Sequence, residues 1–126
     1  MAYDLEVANV SKRYGDRSSG LLAVSDVSLS VRKGEFVSVI GPSGCGKSTL
    51  FGIIGGLIGA YDGEVRVGGQ SHVGTHRDIG IVFQEESTLP WRSVLANVAL
   101  PLEIQGMPRA EREELARHYI DLVGLT

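Results

Sequence analysis

The chain has 126 residues, enough for one domain with a modest core, and its 43% hydrophobic and 21% charged content is that of an ordinary globular protein. A formal charge of −3, with no dense basic stripe to offset it, argues against a general nucleic-acid binder. The most apolar run, Phe51 to Ala60, is ten residues with four glycines, far short of the ~20 that cross a bilayer.

Tyr3 to Asn9 and Leu21 to Val31 read as strands, separated by Ser11-Lys12-Arg13-Tyr14-Gly15-Asp16, a polar turn carrying one aromatic. Residues 36–40, Phe-Val-Ser-Val-Ile, have the pattern of a short buried strand. A glycine-rich segment follows at 41–47, and a helix is expected over about 48–57. Asp62-Gly63 turns into the alternating strand Glu64-Val65-Arg66-Val67, and Gly68-Gly69 turns the chain again. Asp78 to Phe83 reads as a second buried strand, because Ile79, Ile81, Val82 and Phe83 are all apolar. Ser93 can cap a helix over 94–99, which Pro101 is expected to end or kink. Pro108 suits the first turn of a last helix and Gly124 its stop. Along that helix Leu115, Tyr119, Leu122 and Val123 share an apolar stripe, while Glu111, Arg112, Glu113 and Glu114 face water.

The segment Gly41-Pro42-Ser43-Gly44-Cys45-Gly46-Lys47-Ser48-Thr49 carries the chemistry. It matches G-x-x-x-x-G-K-[ST] between a strand pattern and a helix pattern, which is the context of a phosphate-binding loop. Glycines let successive backbone N–H groups curl round a phosphate where a Cβ would obstruct. The helix start adds unpaired amides and the positive end of its dipole. Lys47 is expected to neutralise the β- and γ-phosphates, and the Ser48 hydroxyl to bind Mg²⁺. The bland alternative is a glycine-rich strand-to-helix turn. Cys45, the only cysteine, has no partner for an internal disulfide. Within the loop it reads better as a small residue that fits than as a reactive thiol.

Forty residues precede the loop, whereas many small P-loop kinases place it directly after their first strand. Further on come Gly80-Ile81-Val82-Phe83-Gln84-Glu85 and Leu89-Pro90-Trp91-Arg92-Ser93-Val94-Leu95-Ala96-Asn97-Val98. In order and spacing the chain resembles the ATP-binding subunit of ABC transporters, in the version found in nitrate, sulfonate and taurine importers. The resemblance implies an α/β P-loop NTPase fold, incomplete, with N-terminal β-strands and the start of a helical subdomain. Residues 1–92 would form the nucleotide-binding core and 93–126 the start of that subdomain. It implies that Tyr14 stacks on adenine, that Val24 packs beside the base, and that Gln84 reaches Mg²⁺ and the attacking water. With residues 41–49 these make the candidate site for ATP and Mg²⁺, and Lys47 and Gln84 carry the catalytic roles. The implied partners are a second ATP-binding subunit, transmembrane permease subunits met through the Gln84 region, and indirectly a solute-binding protein. The implied location is peripheral, on the cytoplasmic face of the plasma membrane.

The family continues into an LSGGQ signature, a Walker B strand ending in Asp-Glu and a switch histidine, none of which occurs in these 126 residues. The expected function is therefore ATP binding within an ATP-hydrolysing importer subunit, or alternatively a non-catalytic nucleotide-binding or regulatory fragment. No secretory signal is expected, since Asp4 and Glu6 stand near the start. Ile79 to Phe83 followed by Glu85 and Glu86 superficially mimics a Walker B strand, but the metal-binding Asp is absent and Gln84 occupies the place beside it. Trp91 reads either as a local core plug or as a contact for a membrane subunit. His72, His76 and His118 read as surface or satisfied histidines, because Gly74 argues against a metal-binding helical face.

Overall fold

A computed structural model describes residues 3–126. In chain order the elements are β1 (Tyr3–Tyr14), β2 (Leu21–Arg32), α1 (Lys47–Ile54), β3 (Asp62–Val67), β4 (Gln70–Ser71), α2 (Val94–Ile104) and α3 (Arg109–Leu122). They fall into two compact units, one running to Ile81 and one from Val82.

In the first unit the four strands form one antiparallel sheet in the order β2-β1-β3-β4. β1 continues to Tyr14 instead of stopping at Asn9, so residues 11–14 are strand and the turn lies beyond them. Two opposed bulges make this possible. Val7 pairs with Leu29 and Val10 with Val27, an extra residue on β1; Lys12 then pairs with Val24, an extra residue on β2. Asn9 and Asp26 absorb the irregularities at φ 49° and 47°, a region these side chains tolerate better than most. Their side chains also close the bulges, with Asn9 Nδ2 donating to Asp26 Oδ1 at 2.9 Å and the Asp26 N–H to Ser11 Oγ at 2.8 Å. Simple alternation is thereby broken, and Val7 and Val10, three apart, both enter the core.

α1 lays Leu50 and Ile53 on the sheet residues Val7, Val10, Val24 and Val65, with Leu5, Val27, Leu29, Ile58 and Tyr61 at the margin. The helix stops at Ile54, earlier than expected, because Gly55-Gly56 turns the chain, with the Gly56 N–H donating to the Ile53 carbonyl. One end of a packed helix thus carries the 41–46 loop. His72, expected to be a surface or satisfied histidine, is buried just after β4, its Nε2 lacking a hydrogen-bond partner among the described residues.

Two expected strands do not form. Residues 36–40 and 78–83 enter no ladder, and Phe36, Ile40 and Val82 are 92%, 91% and 99% exposed. A continuous apolar run makes a buried strand only where neighbours pair with both edges and cover both faces. Among the described residues no strand does so for either segment.

In the second unit α2 and α3 pack together, with Ala99 and Ala116 buried at small-residue positions. α2 runs through Pro101 to Ile104, since a proline removes a single ladder bond and the remaining turn is still closed by Gln105 N–H to the Pro101 carbonyl at 3.2 Å. The expected apolar stripe of α3 is not its packed face. Tyr119, Leu122 and Val123 are exposed and Ala116 is the buried residue.

Candidate functional site

The loop at 41–46 is built from constraints that meet at Gly46. This residue is the N-cap of α1 in the left-handed region, φ 82°, and a Cβ there would lie 1.9 Å from the Ala23 carbonyl oxygen. Only glycine satisfies both, so the start of α1 is seated directly on β2 beside Val24. No side chain caps α1, and no acidic residue stands in its first turn. Its leading amides and the dipole's positive end are therefore not neutralised locally. Lys47 turns back over the loop, its Nζ donating to the Gly41 carbonyl at 2.8 Å and to the Pro42 carbonyl at 3.3 Å. The Cys45 N–H closes a turn onto Pro42 O at 3.3 Å, and its exposed thiol lies against Gly41. Ser43, Gly44 and Ser48 are exposed, and Thr49 is half-buried. The geometry is an electropositive curl open to an anion.

Tyr14 stands at the last position of β1 and is 43% exposed. The turn behind it is closed by Gly20, whose N–H donates to Asp16 O at 2.7 Å and whose carbonyl accepts from Arg13 Nη1 at 2.6 Å. A Cβ on Gly20 would lie 2.3 Å from the Tyr14 carbonyl oxygen, so this glycine is required where the chain crosses back. Val24 is buried in the core beside Gly46. Its pairing with Lys12 ties the strand carrying Tyr14 to the strand on which the loop rests. A cavity of about 400 Å³ is lined by Val24, Val27, Leu29 and Leu50 together with Cys45, Gly46 and Lys47 at the start of α1.

Gln84 belongs to the second unit, where it is exposed in an irregular segment. The loop between Gln84 and α2 is organised by Asn97, a residue that sequence reasoning passed over. Its Oδ1 accepts from the Leu89 N–H at 2.7 Å, and its Nδ2 donates to the carbonyls of Leu89, Arg92 and Ser93 at 3.0–3.1 Å. Ser93 Oγ caps α2 by accepting from Ala96 N–H. Arg92 is held by Glu103, whose carboxyl is kept below the usual carboxylate range by that hydrogen bond. An asparagine four residues after a helix cap was the only signal available. Trp91, on this clamped loop, is 77% exposed, which rules out a core plug.

A family model described as ABC transporter matches residues 24–126. The chain belongs to the ABC transporter family. Over 125 residues it is 42% identical to an uncharacterized ABC transporter ATP-binding protein of Methanocaldococcus jannaschii, covering 99% of this chain and 47% of that protein. It is 41% identical over 116 residues to the taurine import ATP-binding protein TauB of Pseudomonas aeruginosa, covering 92% of this chain and 44% of that one. Among solved structures it is similar to the dimeric structure of a post-hydrolysis state of the ATP-binding cassette MJ0796 bound to ADP and Pi. That match has a TM-score of 0.82 at 35% identity and covers 93% of this chain and 56% of that chain. The chain spans about half the length of the curated relatives it matches. Its fold is accordingly the α/β P-loop fold of ABC ATPases, and it is of the ATP-binding subunit class. Among the described residues no helix is long and apolar enough to cross a membrane.

Proposed function

We propose that this chain binds ATP with Mg²⁺ and, in the whole protein, energises import of a small anion such as nitrate, a sulfonate or taurine. The observation that carries the reading is Lys47 folded back onto the carbonyls of a glycine loop that ends on an uncapped helix. A triphosphate would exchange those neutral acceptors for anionic oxygens, and charge-assisted hydrogen bonds are about twice as strong as neutral ones. The loop amides and the α1 dipole add to the same attraction. Residues 41–49 hold the phosphates, Tyr14 offers its exposed ring to adenine, and Val24 backs the loop at Gly46.

Ser48 and Gln84 are the side chains that would hold Mg²⁺, which keeps several waters and phosphate oxygens in its shell and needs few protein ligands. Bound there, the ion would offset charge developing on the phosphates, while Gln84 orients the attacking water. Taurine enters through the import function named for the TauB relatives. A second ATP-binding subunit is the proposed partner, in line with the dimeric cassette similar to this chain. The loop carrying exposed Trp91, clamped by Asn97, suits contact with transmembrane permease subunits on the cytoplasmic face of the membrane. A solute-binding protein would act indirectly through them.

Two measurements test the reading. Calorimetry on the 126-residue chain should show one site for Mg²⁺-ATP that ADP competes for and adenosine does not. Disruption of the coding sequence should abolish uptake of one anion among taurine, alkanesulfonates and nitrate. No nucleotide binding would sink the first part, and unchanged uptake of all three anions the second.

A further inference from the structure

Lys12 sits on the same side of β1 as Tyr14, two residues before it, and its ammonium lies 4.9 Å from the centroid of the Tyr14 ring. The same ammonium donates to the carbonyl of Ala60, in the segment that follows α1. The bulge at Asp26 sets Lys12 opposite Val24, so the stem of Lys12 is placed by the strand pairing that seats the loop. We propose that Lys12 is a positioning residue for the nucleotide base: it fixes the Tyr14 ring from one face and leaves the other face for stacking. The inference rests on the reading of Tyr14 as the platform for adenine.

Three physical effects act together. Anchoring Lys12 to Ala60 limits the orientations of the ring, so less rotamer freedom is lost when a base arrives. A cation on one face is attracted by the negative quadrupole of the ring and draws its electron density. The opposite face then repels the π-cloud of a stacked purine less. Lys12 is also tied to the segment at the far end of the helix that carries the phosphate loop, so base platform and phosphate site share one frame.

The test uses the 126-residue chain with Lys12→Met, which keeps an unbranched stem without charge, and Lys12→Arg, which restores it. Lys12→Met should weaken Mg²⁺-ATP about two- to fivefold, the range of an exposed cation–π contact, and leave inorganic triphosphate unchanged. Lys12→Arg should restore ATP binding. In a Tyr14→Leu background Lys12→Met should have no further effect. Equal weakening of ATP and triphosphate, or an effect that persists without Tyr14, would overturn the inference. An ATP affinity that Tyr14→Leu leaves intact would instead remove the platform reading on which it rests. NMR of the nucleotide-free protein gives an independent readout. The Tyr14 ring resonances should move in Lys12→Met and return in Lys12→Arg, and resonances that stay put would count against the contact itself.

Discussion

Glu103 accepts hydrogen bonds from both terminal guanidinium nitrogens of Arg92, at 3.0 and 3.4 Å, from eleven residues further along the chain. Arg112 of α3 approaches the same carboxylate at 3.7 Å, so one acidic side chain joins the Trp91 loop, α2 and α3. The Arg92 hydrogen bond holds the Glu103 carboxyl below its ordinary range. Its folded value is therefore lower than its unfolded value, and its contribution to stability is present above the unfolded value. That contribution is lost as pH falls through the lower folded value. Glu103→Gln should lower the melting temperature slightly at pH 7, and the difference from wild type should close as the pH falls through the folded value of the carboxyl, which lies below its ordinary one. Circular dichroism melts across that range check it. A difference that grew on acidification would contradict the assignment.

Lys47→Ala should weaken Mg²⁺-ATP by about 1.5–3 kcal/mol, the size of a lost hydrogen bond to a charged group. Calorimetry on the folded variant, set beside wild type, provides the measurement. Equal affinity in the two proteins would place the triphosphate away from the 41–46 loop.

Tyr14→Ala should cost ATP about 1 kcal/mol while inorganic triphosphate binds as before. The comparison separates a stacking ring from one that supports the strand end. If both ligands weaken alike, Tyr14 belongs to the fold.

Gly46 and Gly44 make a controlled pair, since both have positive φ, 82° and 78°. A Cβ at Gly44 meets nothing within 4 Å, whereas at Gly46 it meets the Ala23 carbonyl oxygen at 1.9 Å. Gly44→Ala should carry only the left-handed backbone cost of about 1–2 kcal/mol. Gly46→Ala should cost more and unseat α1 from β2, lowering both melting temperature and ATP affinity. Matching losses in the two variants would show that the loop is not pinned at Ala23.

The 126-residue chain on its own should turn over ATP far below enzyme rates and should associate as concentration rises. Glu85 and Glu86 follow residues 78–83, which enter no ladder, so neither is held at a strand end to polarise water, and Phe36, Ile40 and Val82 stand exposed in segments with unpaired edges. Phosphate release and light scattering are the two readouts. Vigorous Mg²⁺-dependent hydrolysis abolished by Glu85→Gln or Glu86→Gln would mean that residues 79–86 are a Walker B strand after all.

The glycine loop at 41–46 leading into α1 was legible in the sequence because its constraints are local. A backbone that must curl round an anion needs glycine at set positions, and a lysine and a hydroxyl must follow at the helix start. A helix after the cap at Ser93 and a last helix stopping at Gly124 were foreseen for the same reason, although the first was expected over 94–99 and runs on through Pro101 to Ile104. The strands were another matter. That β1 reaches Tyr14 depends on opposed bulges at Asn9 and Asp26, residues seventeen apart whose meeting no short-range pattern records. The clamp of Asn97 on the Leu89–Ser93 loop and the packed face of α3 at Ala116 were likewise settled by neighbours. Residues 36–40 and 78–83 have strand sequences and no ladder, because a helix satisfies its backbone within itself while a strand takes its hydrogen bonds from a partner elsewhere in the chain.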